Sequence, residues 1–508
     1  MGVRGMAATG HPLASDAALD ILKAGGNAFD AAVCASAVLS VVKSYHCGLG
    51  GDLFGVFYSS EKGRVLVLNG SGKSPRSICG ELFSDHIPHR GILAATVPGT
   101  VHSWVEIARM LGTRDLKSLL SPAIEHAEKG FPVFSHLETV VRSAQKTLGS
   151  DPAWANVFLP GGKPPSVGDL FVQSDLASTL AQIANEGREP FYSGDILRAI
   201  LRSSELHGGF FTASDFGEHQ SRWEEPLHSD YRGYRIYVPP PNSYGLLLLL
   251  QLKYLTDYPL ATLKHNPREY IWLQVKAKEE AWKAGEHWVC DPDDSRRQEI
   301  FDLLNQYPEK STQAHPVAAS RPGSDTTYIA VADKFGNWAS VIQSVHQSFG
   351  CGVVVEGTGI VLNNRMSGFN LIPSHPNEIG PAKRPAHTLS PVLVLKGNRP
   401  VLALGTPGGL GQTQFLTQIF CNLFDLNMSL QESLEAPRWQ SESEGRVELE
   451  SRFTTDVSEF LRHEGFDVKI AGPWEFSHGG AEAISLHNNG KVLLGAADPR
   501  REGYAVGY

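Results

Sequence analysis

"GSDTTYIAVADKFGNWASVIQS", residues 323–344, is the stretch that decides the fold. Two threonines, Thr326 and Thr327, follow Asp325 and open an alternating run of apolar residues. A second run of the same kind begins at Trp338, after a turn that contains glycine and asparagine. Alternation over this length is typical of β-strands. The stretch therefore predicts two strands, and the first of them begins with the threonines.

The chain changes character at this point. Residues 307–324, just before it, are rich in proline, serine, alanine and charge and have no apolar period, which predicts a mobile surface segment. Further upstream, apolar residues at helical spacing predict helices within 11–42, 101–220, 244–255 and 268–288. Downstream, strand-like runs continue to "PVLALGTPGG", and a helix is predicted from about Thr413 to Phe424. The layout predicts helices that cover antiparallel sheets.

Composition excludes several classes of protein. The 508 residues are 42% hydrophobic and 19% charged, which is the mix of a globular protein. The net charge is -9 and no run of five or six like charges occurs, so nucleic acid is not expected as a partner. The longest apolar run, residues 244–255, is shorter than the roughly 20 residues of a membrane span, so no membrane partner is expected. The first residues lack the pattern of a signal peptide, which predicts a cytoplasmic location.

The six cysteines carry no recognisable site. They form no C-x-x-C pair, no histidine cluster stands at metal-ligand spacing, and free thiols are the expected state: Cys34, Cys47, Cys79, Cys290, Cys351 and Cys421. The glycine-rich "CGLGGDLFGVFY" (47–58) precedes a strand and lacks the ending of a phosphate-binding loop. Neither a metal nor an organic cofactor is expected.

The threonines after the segment suggest a specific chemistry. A hydroxyl is a poor nucleophile at neutral pH unless a base lies within hydrogen-bond reach, and one solution uses the α-amine of the nucleophile's own residue. That amine has an ordinary pKa of about 7.7 to 8.0, which suits a general base. An internal Thr326 has a free amine only after the chain is cut between Asp325 and Thr326. Taken alone, Asp325-Thr326-Thr327 also fits a plain turn into a strand.

Motifs along almost the whole chain support the first interpretation. They include "GMAATGHPLASDAALDILKAGGNAFDAAV", "GLGGDLFGVFY", "DTTYIAVADKFGNWASVIQS", "GPAKRP", "GTPGG", "EAPRW" and "ADPRREGYAVGY". With these motifs the chain resembles the γ-glutamyltransferase (glutathione hydrolase) family of N-terminal nucleophile hydrolases. The resemblance implies a four-layer αββα fold of the α+β class, with two antiparallel sheets between helical layers. It also implies a self-cleaving zymogen whose chains, 1–325 and 326–508, stay intertwined.

The resemblance assigns roles to individual positions. Thr326 corresponds to the nucleophile, and Ser344 corresponds to the hydroxyl that orients it. Gly408 and Gly409 of "GTPGG" correspond to the oxyanion hole, where backbone N–H groups must approach the substrate closely. The same turn taken alone also fits an ordinary tight turn.

The residues that hold the glutamyl group in the family are altered here. Ser71 stands where the family has an arginine, and Lys73 supplies charge without a bidentate fork. In "NNRMSGF" (363–369), Arg365 replaces a glutamine and Gly368 replaces the acid that pairs with the substrate ammonium.

Three further positions in the expected pocket differ. His387 and Thr388 replace a serine pair, and His346 replaces an asparagine. Together with Arg365 these residues predict a pocket for an anionic or planar polar acyl group without an α-ammonium. The same pattern resembles the glutathione hydrolase-like branch that includes oxamate amidohydrolase and enzymes once called cephalosporin acylases.

Three functions remain open from the sequence. The first is hydrolysis or acyl transfer on a γ-glutamyl amide such as glutathione, with water or an amine as acceptor. The second keeps the mechanism but acts on oxamate or another non-glutamyl amide. The third is an uncut, inactive scaffold on the same fold. The expected partners are a small amide or peptide substrate and the two cut chains for each other, and a homodimer is compatible.

Overall fold

The computed structural model describes residues 1–83, 85–308, 325–441 and 443–508. The segment predicted to be a mobile surface loop lies outside these residues from position 309 to position 324. Asp325 begins a strand, and Thr326 follows it, as the sequence predicted.

Helices fill much of the first 308 residues and recur near the end of the chain. They are α1 (Pro12–Lys23), α2 (Ala28–Val42), α3 (Thr100–Leu111), α4 (Leu116–Lys129), α5 (Ser135–Leu148), α6 (Pro152–Phe158), α7 (Ser174–Glu186), α8 (Glu189–Tyr192), α9 (Asp195–Leu206), α10 (Ala213–Gly217), α11 (Gly245–Thr256), α12 (Pro267–Gly285), α13 (Asp294–Gln306), α14 (Gln412–Phe424), α15 (Leu430–Glu435) and α16 (Thr455–His463).

Strands occur at both ends of the chain and dominate residues 325–405. They are β1 (Gly5–Thr9), β2 (Asp52–Ser59), β3 (Arg64–Asn69), β4 (Phe131–Pro132), β5 (Leu170–Phe171), β6 (Arg222–Glu224), β7 (Leu227–Tyr231), β8 (Tyr234–Val238), β9 (Asp325–Asp333), β10 (Trp338–His346), β11 (Val354–Val355), β12 (Ile360–Val361), β13 (Val392–Lys396), β14 (Arg399–Gly405), β15 (Trp439–Gln440), β16 (Arg446–Glu450), β17 (Asp467–Ala471), β18 (Glu482–His487), β19 (Val492–Ala497) and β20 (Tyr504–Gly507).

Two antiparallel sheets form the centre of the molecule. The first has the strand order β20-β1-β9-β10-β2-β3-β6, and the second has the order β19-β18-β14-β13-β8-β7. Strand β9 therefore pairs with β1 on one side and with β10 on the other. The smaller β-structures that the described residues form are β4 with β5, β11 with β12, and β15 with β16 and β17.

Three apolar cores separate four layers. One core joins α1, α2, α4 and α7 to the outer face of the first sheet, and a second joins α11, α12 and α14 to the outer face of the other sheet. The third core lies between the sheets and contains Tyr328, Ile342, Ala403 and Ile484. Helices therefore cover both outer faces, which is the αββα arrangement of the α+β class.

The alternation of β9 determines which way each of its side chains points. Tyr328 belongs to the core between the sheets, while Ile329 belongs to the core under the helices. Because successive side chains of a strand point to opposite faces, Thr326 shares the inter-sheet face with Tyr328, and Thr327 shares the helical face with Ile329.

Two helices show why the sequence folds around these sheets. All residues of α2 are buried, and a capping box precedes it. In this box Oδ1 of Asn27 accepts from the N–H of Asp30, and Oδ2 of Asp30 accepts from the N–H of Asn27. The leucine-rich α11 is buried along almost its whole length, as its sequence predicted. None of the helices in the described ranges combines the length and the apolar character needed to cross a membrane.

Candidate active site

Thr326 lies at the beginning of the central strand β9 and is almost fully buried. Its Oγ1 has no hydrogen-bond partner among the described residues. A buried hydroxyl without a partner is uncommon, because the lost hydration costs about 1–3 kcal/mol. Unpaired polar atoms of this kind are typical of positions at which a ligand or a reacting group completes the bonding.

Ser344 lies beside Thr326 on the neighbouring strand. Gln343 pairs with Thr327, and His346 pairs with Asp325, so the register shifts at Ser344 and its neighbour, which together oppose Thr326. The Oγ of Ser344 accepts a hydrogen bond of 2.7 Å from the N–H of His346. The bulge therefore fixes the Ser344 hydroxyl on the inter-sheet face that Thr326 also uses.

His346 ends the bulge in a left-handed conformation with φ of 84°. Its Nδ1 lies 3.2 Å from the Oγ of Ser367 and 3.3 Å from the carbonyl oxygen of Asn364. Asn364 in turn donates from its N–H to the carbonyl of Val345 at 3.1 Å. These contacts join the end of β10 to the segment that carries Arg365.

The predicted oxyanion turn follows β14 in the second sheet. Gly408 and Gly409 have φ of 123° and 57°, and both values lie in the region that favours glycine. A Cβ on Gly408 would stand 2.7 Å from the ring of Phe415, and one on Gly405 would stand 2.2 Å from the ring of Tyr328. Glycine is therefore required for close approach at Gly408, which faces α14, and at Gly405, which ends β14 and faces β9.

Asp52 is the charged residue in the cross-strand row that also contains Ser344 and Thr326. It begins β2 directly opposite Ser344, and its side chain is buried. Its Oδ1 accepts from the N–H of Gly72 at 3.1 Å, and its Oδ2 lies 3.1 Å from Nε2 of His387. Burial raises the pKa of Asp52 to about 7, although the charge of Arg365 and the Gly72 N–H act in the opposite direction. Near neutral pH this carboxyl is thus close to half-protonated.

Arg365 is the cation nearest to Asp52, and it is also buried. Its Nε lies 3.8 Å from Oδ2 of Asp52, which is too long for a hydrogen bond. Its Nε and Nη2 have no hydrogen-bond partner in the described part of the chain. Burial lowers the pKa of Arg365 to about 9, and the Asp52 charge opposes that change. The guanidinium therefore retains bonding capacity that the described residues do not use.

The backbone that carries Arg365 is held firmly in place. Oδ1 of Asn363 accepts from the N–H of Arg365 and from both the N–H and the Oγ1 of Thr96, each at 3.0 Å. Nδ2 of Asn363 donates to the carbonyl of Gly50 at 2.9 Å. Next to Arg365, Met366 packs into a small apolar cluster with Ile78. The direction of the Arg365 side chain is thereby set by its surroundings.

His387 lies beside Asp52 and Arg365 as a neutral imidazole. Burial and the charge of Arg365 lower the pKa of His387 well below its ordinary value. Its Nδ1 accepts from the N–H of Leu389 at 3.5 Å, so the hydrogen-bond network assigns the proton to Nε2, which donates to Asp52. The arrangement has one guanidinium, one half-protonated carboxyl and one neutral imidazole.

Other predicted site residues lie nearby in different roles. Ser71 is buried and donates from Oγ to Oδ1 of Asn69 at 2.7 Å, so its hydroxyl serves a structural network. Thr388 is buried, and its Oγ1 finds no hydrogen-bond partner in the part of the chain that the structure describes. Lys73 is half-buried, and burial and then the charge of Arg384 lower its pKa. Arg384 also acts on the pKa of Asp52.

Two charged residues were missed from the sequence. Asp52 was passed over inside the glycine-rich turn, although a single acid at the start of an apolar strand was a usable signal. Arg384 is buried, donates from Nε to the carbonyl of Ser71 at 2.9 Å, and approaches Asp52 closely enough to influence its pKa. Arg384 belongs to the motif "GPAKRP", and the spacing of residues there did not indicate that its side chain would be buried.

Comparisons with known proteins show which family the chain resembles. The sequence model described as Gamma-glutamyltranspeptidase matches residues 14–508. The glutathione hydrolase-like YwrD proenzyme of Bacillus subtilis (strain 168) is 39% identical over 100% of this chain and 99% of its own length. The oxamate amidohydrolase proenzyme of Klebsiella pneumoniae is 33% identical over 100% and 99%. The crystal structure of cephalosporin acylase from Bacillus halodurans superposes with a TM-score of 0.91 at 33% identity, covering 100% of this chain and 96% of that one.

Proposed function

We propose the following reaction on the basis that this chain belongs to the gamma-glutamyltranspeptidase family. The protein is an enzyme that cuts itself between Asp325 and Thr326 and then cleaves an amide through an ester on Thr326. The observation that carries this assignment is the buried Thr326 hydroxyl at the start of a central strand, which has no hydrogen-bond partner within residues 1–83, 85–308, 325–441 and 443–508. Several relatives are named proenzymes, which supports maturation by cutting.

The first step converts an amide to an ester. The Oγ1 of Thr326 attacks the carbonyl carbon of Asp325, the C–N bond to Thr326 breaks, and the nitrogen takes the hydroxyl proton to become a free amine. Water then hydrolyses the ester, so that Asp325 ends in a carboxylate. The products are the chains 1–325 and 326–508.

The mature enzyme repeats this chemistry on its substrate. The α-amine of Thr326 accepts the hydroxyl proton while Oγ1 attacks the substrate carbonyl, and it passes that proton to the departing amine. The N–H groups of Gly408 and Gly409 stabilise the oxyanion, and Ser344 orients the nucleophile. Water resolves the ester to a free acid, or an amine takes the acyl group. No metal cluster stands among the described residues.

The acyl group has two candidate classes. Relatives named glutathione hydrolases support a γ-glutamyl amide. A specific observation favours the second class, an acyl group without an α-ammonium: a Cβ on Gly368 would stand 2.6 Å from the carbonyl oxygen of Ala386. The position that holds the ammonium-binding acid in the family therefore has no room for a side chain. The relative named oxamate amidohydrolase supports this class as well.

Mass spectrometry of the purified protein tests the reaction. We expect fragments of about 35 and 20 kDa, in proportion to residues 1–325 and 326–508 of the 55.2 kDa chain. Incubation with an amide substrate should add the acyl mass to Thr326 of the smaller fragment. Thr326→Ala should leave one uncut chain without turnover, and Thr327→Ala is the matched control that should still be cut. Cutting at the same bond in Thr326→Ala would refute the assignment.

A further inference from the structure

We propose that the guanidinium of Arg365 binds a carboxylate carried by the acyl group of the substrate, and that Asp52 is the resting counterion which this carboxylate replaces. The substrate class is then the half-amide of a dicarboxylic acid. This inference rests on the proposed function, because it assumes that Thr326 attacks the amide end of the same molecule. It goes beyond that function by naming the residue that reads the acyl group and the group that must yield to it.

The unmet bonding capacity of Arg365 points to an anionic ligand. The side chain is 1% exposed, yet its Nε and Nη2 find no partner among the described residues. Asp52 stands 3.8 Å away and gives charge without a hydrogen bond. A guanidinium presents parallel N–H groups that match the two oxygens of a carboxylate. A buried guanidinium in this state is therefore prepared for a carboxylate from outside the chain.

The position of Arg365 relative to the nucleophile fits an acyl chain. Asp52 on β2 and Thr326 on β9 lie on either side of β10, roughly 10 Å apart at ordinary strand spacing. Ser344 stands between them and is paired directly with Asp52. Asp52, Ser344 and Thr326 thus form one row at the same end of the sheet, and the guanidinium of Arg365 lies at the Asp52 end of that row. A molecule that bridges them has an amide at one end and an anion at the other.

The surroundings of Asp52 allow it to give up its charge. The charged or titratable groups that act on it are Arg365, Arg384 and His387, and Tyr192 also feels its charge. His387 is neutral, and burial raises the pKa of Tyr192, which stays protonated. Arg384 has other acids near it, Asp291 and Glu224. Arg365 is thus the cation whose loss to a ligand would most disfavour the ionised form of Asp52.

Binding should therefore be linked to a proton. Asp52 has a pKa of about 7 in the unliganded protein, where the Arg365 charge partly stabilises its ionised form. When a carboxylate occupies Arg365, that stabilisation is lost and a like charge is added, so the pKa of Asp52 rises further. At pH values above about 7 a half-amide binds with uptake of one proton, and its KM increases with pH.

The test compares half-amides with neutral amides of equal length. Oxamate, malonamate, succinamate and glutaramate are each assayed beside an uncharged isostere, such as butyramide beside succinamate. We expect kcat/KM for the best half-amide to exceed that of its isostere by about 100-fold or more, because a buried polar site rejects the analogue that leaves it unpaired. Equal kcat/KM values for every pair would overturn the proposal.

Variants then assign the effect to Arg365. Arg365→Gln should reduce the ratio of charged to neutral kcat/KM to about 1, whereas Arg142→Gln, which removes an exposed arginine of α5, should keep the ratio of the parent protein. Self-cutting and the melting temperature report whether Arg365→Gln is folded. If it does not fold, inhibition of the parent protein decides: succinate should compete with the substrate and butyramide should not, and the opposite order would overturn the proposal.

The pH dependence tests the role of Asp52. In the parent protein, KM for the half-amide should rise about tenfold per pH unit above pH 7, and in Asp52→Asn it should stay level between pH 6 and pH 8. A level KM in the parent protein would contradict the exchange of counterions. Failure of the proposed function gives a different result, since no amide, charged or neutral, would then leave an acyl mass on Thr326.

Discussion

Two hydroxyls and one carboxyl define the chemistry at the scale of single residues. Thr326, Ser344 and Asp52 occupy neighbouring strands at one end of the first sheet and share its inner face. Each is buried, so small changes in their bonding have large effects. Three side chains that are far apart in the sequence thus become a single row through strand pairing.

We expect Ser344→Ala to slow self-cutting by at least about tenfold, because the change removes the hydroxyl beside Thr326 and leaves the N–H of His346 without its acceptor. The rate is measured from the loss of the 55.2 kDa band on denaturing gels. Ser340→Ala is the matched control. Its Oγ bonds to Tyr328 deeper on the same face, so it should lose stability but keep the rate. A parent-like rate in Ser344→Ala would exclude the orienting role.

Asp52 makes stability depend on pH in a defined direction. Its pKa is raised by folding, so the native state retains a proton that the unfolded chain loses near pH 4, and this contribution declines as pH rises to about 7. Asp52→Asn lacks the dependence. Relative to the parent protein, the variant should gain free energy of unfolding between pH 4.5 and pH 7.5, by an amount on the order of 4 kcal/mol at most, which is followed as a rise in melting temperature. A difference that is constant with pH would show that Asp52 has an ordinary pKa.

The sequence predicted Thr326 and Ser344 in this row, but it did not predict Asp52. Thr326, Ser344 and Arg365 stood in recognisable motifs, so their neighbourhood was expected. The partnership of Asp52 with Arg365 was not, because it depends on β2 and β10 being aligned so that Asp52 faces Ser344. Pattern alone does not determine such register.

At the scale of elements, the turn between β14 and α14 has the strictest requirement for glycine. Its glycines were expected from "GTPGG", and the structure adds the reason: Gly405 approaches Tyr328, and Gly408 approaches Phe415. The alternation that identified β9 and the helical spacing that identified α2 and α11 were equally informative. Pairing of β1 with β9 and β20 joins distant parts of the chain, and no local pattern indicated it.

We expect Gly408→Ala to lower kcat/KM by about 100-fold, because the new Cβ strains the backbone at φ of 123° and displaces a proposed oxyanion donor. Gly397→Ala is the matched control. Gly397 also has a positive φ, of 58°, but a Cβ there would meet nothing within 4 Å, and it lies in the β13–β14 turn. The control should therefore lose some stability but little activity. Equal kcat/KM in the two variants would remove Gly408 from the oxyanion hole.

At the scale of the whole molecule, a cut before Thr326 would not divide the structure. In the first sheet β1, β2, β3 and β6 come from one side of the cut, and β9, β10 and β20 come from the other. The second sheet is mixed as well, because β8 pairs with β13 and β7 pairs with β8. Every layer thus contains both chains or packs against both.

The two fragments should therefore migrate as one particle in native size exclusion and separate only in denaturant. Chains that share hydrogen-bonded strands and apolar cores lose both on separation, so dissociation is equivalent to unfolding. A gradient of guanidinium chloride followed by light scattering measures the midpoint. It should coincide with the loss of secondary structure measured by circular dichroism. Release of the smaller fragment before that transition would show that the halves pack independently.

The position of β9 between β1 and β10 also bears on how the protein is made. The strand that carries Thr326 has one neighbour from the first ten residues of the chain, and that neighbour is itself flanked by β20 from the last five. Contacts of such sequence separation form late, because the loops that they close are long. The peptide bond before Thr326 would then become reactive only after β1 and β20 have joined the sheet beside β9. Because cutting is irreversible, cut chains would be those that had folded completely. Misassembled molecules would remain uncut and would be identified as chains of 508 residues.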